Sequence, residues 1–400
     1  MTNKLLVTHQ PAGSTATPTN ITDAIKIDTQ EGIKTTIDAF SFTIQANPKY
    51  DNFFNDGDNI KIYLGSGSSA PTIVMDGFIK EINLDITADK KIWNIAGQNR
   101  LEVLLNAQLP AAETATATAA AIIKRKINQA NKYFLGSKYR PEINAELNSI
   151  DPVNGKIDDV SISLPNIPTP YFRPEMTIFM MIEQLSQKSY TGQETPYIFY
   201  LDSNNNFVWE PRTTAAEGTI RVGDFITAKV QKSVFDVINF AIIYAGVDFN
   251  GNPVTRYIYN NVGMIKGLRT KYFAMPRIAT ELADKTSKVG NLYTKDINGN
   301  TNNALYRALI QQAADAEGWK IVNLFGTPRY KATLTMKGTT AYSKSKIYDL
   351  NIDGVFRDAD NKTVPSLELR LIEIQHIFTS KGWFTTLEIL QDEGTVTGGA

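Results

Sequence analysis

His9 and His376 are the only histidines in this chain, and it has no cysteine. Thiolate metal sites, disulfides and cysteine nucleophiles are therefore excluded, and a zinc site would need carboxylates for most of its ligands. Three acidic pairs, Asp56/Asp58, Asp158/Asp159 and Asp358/Asp360, have the residue types for glycoside hydrolysis. That chemistry needs two carboxyl groups converging across a cleft. Each pair lies in a turn-rich stretch, where Asp is favoured because its side chain bonds the local backbone. Asp248-Phe-Asn-Gly-Asn252 and Asp296-Ile-Asn-Gly-Asn-Thr-Asn-Asn303 echo a calcium loop. Both lack the alternating Asp pattern with a Glu at position twelve, so they read as turns.

Gly65-Ser-Gly-Ser-Ser69 sits between two strands and reads as a hairpin loop rather than a phosphate cradle. No nucleophile elbow, P-loop, dinucleotide fingerprint or His-Glu-x-x-His motif occurs. His376, in Glu373-Ile-Gln-His-Ile-Phe378, reads as a packing or hydrogen-bonding residue of a strand. Lys124-Arg-Lys126 reads as a solvated helix face, or as a salt bridge to another subunit. Trp93, Trp209, Trp319 and Trp383 do not alternate with basic residues as a single-strand stacking groove requires. The residues thus assign no catalytic site, no cofactor-binding site and no metal site.

The chain has 400 residues, 42% hydrophobic and 20% charged, enough for several cores. Lys plus Arg and Asp plus Glu are both 41, so the formal net charge is zero. That balance argues against a general nucleic-acid binder and permits self-association. The N-terminus, Met1 to Gln10, lacks a signal-peptide apolar core. The strongest apolar run, Val234 to Val247, is interrupted by Asp236 and Asn239 and is too short to span a bilayer. Synthesis in a cytoplasm without membrane insertion is expected.

The elements that must position these residues are mostly strands. Ile25–Asp28, Ile37–Ile44, Asn59–Leu64, Met75–Ile86 and Lys91–Ala96 alternate or carry β-formers between polar turns. Leu101, Leu104 and Leu105 turn to helical spacing. Ala111–Ala121 reads as a loop running into a helix through Ile122–Ala130, with Thr114 or Thr116 as cap. Thr177–Ser186 is an amphipathic helix. Tyr197–Leu201 and Asn206–Glu210 form a hairpin across Asp202–Asn206. Phe225–Val230, Val234–Gly246 and Val254–Asn260 are strand-like. Asn303–Glu317 is a helix with Leu305, Leu309 and Ala313 on one face, and Gly318 ends it. Strands resume at Tyr330–Met336, Lys346–Ile352, Leu367–Phe378 and Trp383–Leu390.

The expected fold is α+β, mainly β, with two small tube-like β-barrels, an α+β domain between them and a helical insertion in the second barrel. The expected units are a first barrel over 1–106, an α+β domain with a long loop over 107–212 and the second barrel's first part over 213–270. The helical insertion follows over 271–328, the second barrel's second part over 329–393 and a frayed tail over 394–400. The two β regions look self-similar, since both carry a long strand pair with a tight polar turn.

Phe78-Ile-Lys-Glu-Ile-Asn-Leu-Asp-Ile-Thr87 with Lys91 to Leu105 resembles the end of the first barrel of phage tail hub proteins, with Gly77, Gly97 and Leu104-Leu105 in the pattern's places. That family comprises baseplate hubs of long-tailed phages and the late control protein D group. Leu371 to Leu390 is similar to the family's closing hairpin, through His376, Gly382, Trp383, Thr386 and Leu387. The helix at Ala304–Ala316 before the strand at Tyr330 also fits. Segment 131–175 has no counterpart in the pattern.

The resemblance implies a non-enzymatic structural subunit of a virion tail or baseplate, or of a contractile injection system. It implies a homotrimeric ring with pseudo-sixfold symmetry that joins the hexameric tail tube protein to a trimeric central spike or fibre, beside other baseplate proteins. Two alternatives stand beside it. A tail-associated peptidoglycan hydrolase needs a convergent acid or His site within 107–212. A β-rich carbohydrate-binding adhesin predicts exposed aromatic platforms such as Tyr171/Phe172 or Tyr257/Tyr259.

Overall fold

The computed structural model describes residues 3–33, 37–68, 70–87, 90–108, 117–131, 161–162, 177–187, 197–211, 215–233, 237–259, 270–276, 278–279, 282, 302–326, 329–357 and 362–391. The first third holds β1 (Asn3–Gln10), β2 (Thr19–Ile21), β3 (Ala24–Gly32), β4 (Ala39–Gln45), β5 (Asn59–Ser66), β6 (Thr72–Ile86), β7 (Lys91–Gln98) and α1 (Glu102–Asn106). The middle holds β8 (Ala117–Thr118), α2 (Ala119–Ala130), β9 (Ser161–Ile162), α3 (Ile178–Gln187), β10 (Tyr197–Leu201) and β11 (Phe207–Pro211). The last part begins with β12 (Ala216–Arg221), β13 (Thr227–Ser233), β14 (Phe240–Val247), β15 (Pro253–Tyr259) and β16 (Thr270–Ala274). It continues with α4 (Asn303–Phe325), β17 (Arg329–Lys337), β18 (Ile347–Arg357), β19 (Thr363–Thr379) and β20 (Gly382–Gln391).

The chain is mainly β, and alternation of apolar with polar residues explains why. In β4 the buried Phe40, Phe42 and Ile44 alternate with Ala39, Ser41 and Thr43, and in β17 Tyr330, Ala332, Leu334 and Met336 do the same. The two expected barrels are not separate closed bodies. The described strands form a 13-stranded sheet running β13-β17-β20-β19-β3-β4-β7-β6-β5-β1-β2, with β18 and β12 branching from β19. The physical reason lies in β19. Its first part pairs β18, Leu369 to Thr379 pair β20, and Glu373 to Phe378 also take β3, from the first third of the chain.

A second correction concerns residues 240–259, expected in the second barrel. They form a separate three-stranded sheet, β15-β14-β16, covered by α4. In α4 the buried face carries Tyr306, Ile310 and Ala314, whereas Leu305 is exposed, so the expected stripe lay one residue off. Gly318 does not end this helix, which runs to Phe325. Its role is close approach: a Cβ there would stand 2.5 Å from the Ile258 side chain on β15. Two ion pairs fix the helix against the sheet and its turn, Arg256 to Asp315 at 2.6 and 2.8 Å, and Arg307 to Asp248 at 2.9 Å.

Between the two halves of the large sheet, α1, α2, α3 and the β10–β11 hairpin share a core around Trp209, Phe207, Ile123 and Met181, into which Phe78 of β6 projects. The candidate caps Thr114 and Thr116, most of segment 131–175 and the tail 394–400 lie outside the described residues.

Gly97 is where β7 crosses closest to the first core. A Cβ there would lie 2.1 Å from the Phe78 carbonyl oxygen and 2.4 Å from the Phe40 ring. Gly97→Ala is expected to lower stability by about 1–3 kcal/mol, because a backbone atom cannot rotate away as a side-chain end can. Urea denaturation of the two proteins measures this.

Candidate functional site, an assembly interface

The large sheet is built from two copies of one plan. In chain order, β1, β3, β4, β5, β6 and β7 correspond to β12, β13, β17, β18, β19 and β20. In space the orders are β3-β4-β7-β6-β5-β1 and β13-β17-β20-β19-β18-β12. The correspondence holds residue by residue. A bulge interrupts the hairpin at Lys80 in the first copy and at Ile372 in the second. Beside it, Gly57 N–H donates to Ile79 O and Ile79 N–H to Asp58 O, while Ser345 N–H donates to Leu371 O and Leu371 N–H to Lys346 O. Gly57 and Ser345 both have positive φ, 83° and 75°. Aligned this way, Ile79-Lys-Glu-Ile-Asn83 faces Leu371-Ile-Glu-Ile-Gln375 in sequence. The copies differ at their outer strand, since β1 is antiparallel to β5 and β12 is parallel to β18.

The copies meet where β3 adds to β19. Gln375 pairs with Gln30, His376 with Thr29 and Ile377 with Asp28. Gln375 Nε2 also donates to Asp28 Oδ1 at 2.9 Å, and Ile33 N–H to Ile372 O at 3.0 Å. A buried charge cluster closes the joint. Lys344 Nζ donates to Asp38 Oδ2 at 2.7 Å and lies 3.7 Å from Glu31. Asp38 further accepts from Gly32 N–H and from Asn99 Nδ2. Burial pushes the Glu31 carboxyl up to about 7, with Lys344 pulling it down and Asp38 pushing it further up. Burial works against the Lys344 charge, but Asp38 and Glu31 outweigh it and hold its value above the usual lysine range.

A cavity of about 240 Å³ opens beside the joint, lined among others by Glu31, Lys344, His376, Tyr200 and Asp202. Its walls come from both sheet halves and from the β10–β11 hairpin. Lys344 in its wall is already held by Asp38 and Glu31, and burial pushes His376 down to about 4, so the ring is neutral at pH 7.

Each repeat also presents one edge that the other has covered. β13 corresponds to β3, yet β17 is its one partner strand among the described residues. β6 corresponds to β19, yet beyond the bulge, from Glu81 to Ile86, its one partner among the described residues is β7. The face that carries Ile374 and His376 in β19 is buried, with those residues 4% and 3% exposed. The residues equivalent to these in β6 are Ile82, which is half-buried, and Leu84, which is 39% exposed, and Ile86 beyond them is 63% exposed. The same strand position is therefore covered inside the chain and open at its end.

The residues singled out for chemistry do not converge. His9 is buried with its Nε2 2.8 Å from Asp58 Oδ2, between Phe53 and Phe54. Asp58 also accepts from the Ala12 and Asn55 N–H groups, so it organises a loop, whereas Asp56 is exposed. His376 accepts or donates at 3.1 Å to Thr385 and packs on Trp383, the packing role expected of it. Asp248 is a turn residue as expected. Burial works to raise its carboxyl, but hydrogen bonds from Asn252, Arg307 and Asn303 hold it down to about 2. The basic run is split, for Lys124 and Arg125 are exposed and Lys126 is buried. Tyr257 and Tyr259 stand exposed on β15 with Tyr272 of β16 on the same face. Asp158, Asp159, Asp358, Asp360, Tyr171, Phe172 and Asp296 to Thr301 lie outside the described residues. Among the described residues no group of three or more His, Asp or Glu is placed to hold a metal, and no helix is long and apolar enough to cross a membrane. Sequence reading missed Lys344, Asp38 and Glu31; the signal that finds them is the internal repeat, which sets the end of β3 and the loops of Asp38 and Lys344 beside the joint.

The charge cluster generates a test with a defined sign. Lys344→Met leaves Asp38 buried without its cation and is expected to cost about 3–5 kcal/mol, with Asp38→Asn on top restoring part of it. For Glu31 the folded value lies above the unfolded one, so the native state holds the proton longer. Its contribution favours folding at low pH and is lost as pH rises from about 4.5 to about 7. Glu31→Gln should flatten that decline and be more stable than the parent above pH 7 by on the order of 1–3 kcal/mol, read by denaturation across pH.

No protein-family model matches the sequence, and no curated protein matches it either. Solved structures do. The tail protein from Neisseria meningitidis MC58 matches with 12% identity and TM-score 0.59, over 97% of each chain. The 43 kDa tail protein of prophage MuSo2 from Shewanella oneidensis matches with 10% identity and TM-score 0.62, over 97% of this chain and 98% of that one. Prophage tail protein gp18 from Listeria monocytogenes EGD-e matches with 13% identity and TM-score 0.54, over 98% and 95%. Along nearly its whole length, this chain has the fold of phage tail proteins.

Proposed function

We propose that this chain is a structural hub of a phage tail or baseplate, or of a related contractile injection device, and not an enzyme. The observation that carries the reading is the doubled sheet. One chain holds two copies of one plan, joined edge to edge, and keeps one complementary edge open at each end. Three such chains supply six equivalent positions, which suits a homotrimeric ring of pseudo-sixfold symmetry between a hexameric tail tube and a trimeric central spike or fibre. Residues 1–106 form one ring unit, and 213–233 with 329–393 form the other. The β14–β16 sheet with α4 and the unit of α2, α3 and the β10–β11 hairpin lie outside the two ring units and would meet the spike or other baseplate proteins. Function is then interface burial rather than turnover, and stable interfaces of this kind bury roughly 2,000 Å² or more. The chain's zero net charge removes long-range repulsion between copies.

The aromatic face of Tyr257, Tyr259 and Tyr272 favours a second reading, a carbohydrate-binding adhesin. Light scattering over a concentration series separates the two. The hub reading expects a species near three times 44.4 kDa. A chain that stays monomeric throughout, and binds glycans as an isolated subunit, overturns it in favour of the adhesin.

A further inference from the structure

The internal joint is a template for the contact between chains. We infer that β13 of one copy adds antiparallel to β6 of the next, in the register that β3 keeps on β19. This rests on the ring reading above and specifies its interface.

The register follows from the two equivalences already given. β3 and β13 are aligned by their pairing with β4 and β17, and β6 and β19 by their hairpins and bulges. Carrying the β3–β19 pairs across places Asn83 opposite Gln231, Leu84 opposite Val230 and Asp85 opposite Lys229. In the rest of the register Ile86 meets Ala228, Glu81 meets Ser233, and Ile82 falls opposite Lys232. The first three of these six pairs are chemically matched: amide with amide, apolar with apolar, carboxylate with ammonium. Cross-strand pairs of these kinds favour association, and like charges in the same places oppose it.

The corner of the joint gives an independent check. In the internal joint Lys344 faces Glu31. The residue equivalent to Lys344 is Asp56, and the residue equivalent to Glu31 is Lys232. The pair is preserved between copies with its signs exchanged: an acid stands where the lysine stood, and a lysine where the acid stood. Asp56 and Lys232 are both exposed in the single chain. The stretch of β6 that would be covered carries Leu84 and Ile86, exposed here though their counterparts lie in the joint. A second copy therefore fits on three grounds: an unpaired backbone edge, an exposed apolar strand face and a complementary corner charge. Because the two surfaces differ, the contact is head to tail, and such contacts close into a ring when the rotation per repeat allows it.

The absence of cysteine makes the register directly testable. Directly opposed residues of an antiparallel pair have Cα atoms within disulfide range, and residues two positions removed do not. Asn83→Cys with Gln231→Cys should form intermolecular disulfides under mild oxidation, running to a covalent trimer with no free ends. The shifted pair Asn83→Cys with Lys229→Cys should give about tenfold less. All these positions are exposed, so the variants are expected to fold. In parallel, Lys232→Glu should weaken association by roughly two- to fivefold per contact, and Asp56→Lys added to it should recover the loss. A trimer by light scattering that crosslinks only in the shifted register, or not at all, overturns this interface and leaves the ring reading intact. A monomer without crosslinks at every concentration overturns both.

Discussion

Everything in the large sheet depends on one strand serving three partners. β19 takes β18 along its first part, β20 along its second, and β3 where β18 has stopped. The changeover falls at the bulge at Ile372. A bulge bends its strand and increases the local twist, so the strand leaves one neighbour and presents the freed edge to another. Without that changeover the N-terminal and C-terminal sheets would each end on an open edge. With it, the first third of the chain and the last share one hydrogen-bonded surface, and Trp383 of β20 packs into the core of the first sheet.

The buried cluster of Lys344, Asp38 and Glu31 is better understood as setting register than as adding stability. Taking three ionisable groups out of water costs free energy that their mutual attraction at most offsets. A slip by one residue, however, would turn Glu31 and Thr29 away from the Ile374 and His376 face and leave Lys344 with an incomplete set of acceptors. Register slips are the characteristic error of sheets, because every side chain changes face at once. A charge satisfied in one register alone removes that alternative. The raised Glu31 carboxyl is the visible cost of placing it there.

Much of this was legible in the residues. Strands such as Tyr330–Met336 and Trp383–Leu390 fall within a residue of their bounds, since half-buried sheets write their burial into period two. By contrast, β3, β18 and β19 run four or five residues past the expected Ile25–Asp28, Lys346–Ile352 and Leu367–Phe378. The hairpin across Asp202 to Asn206 and the turn at Asp248 followed from Asp and Asn chemistry. What failed, failed for tertiary reasons. Gly318 reads as a helix end from its type alone, and only the distance to Ile258 explains it inside a helix. The Leu305 stripe was plausible because leucine usually marks the buried face, yet the face against β14 and β15 uses Tyr306, Ile310 and Ala314. The separate sheet of β14 to β16 was assigned to the wrong unit, since strand patterns do not say which neighbour they pair with. Similarity between the two β regions was visible, but pairing β3 with β19 spans most of the chain, and no local pattern encodes a partner so distant.

Open edges are a hazard that folded proteins usually blunt with charge. Here the charges are sorted by edge. β13 carries Lys229 and Lys232, and the open part of β6 carries Glu81 and Asp85. Two β13 edges aligned on Lys229 or on Lys232 would oppose lysine to lysine, and two β6 edges aligned on Asn83 would set Glu81 against Asp85. Symmetric pairing in those registers is penalised, and one edge against the other is favoured. A net charge of zero hides this polarity, because the opposite signs sit at opposite ends of the same sheet. Specificity arises as much from the pairings the charges forbid as from the one they permit. Unlike ends of this kind favour one edge against the other over a pairing of like edges. In the ring proposed above, the fixed number of repeats per chain would tie the ring's size to the angle of a joint already formed inside the chain.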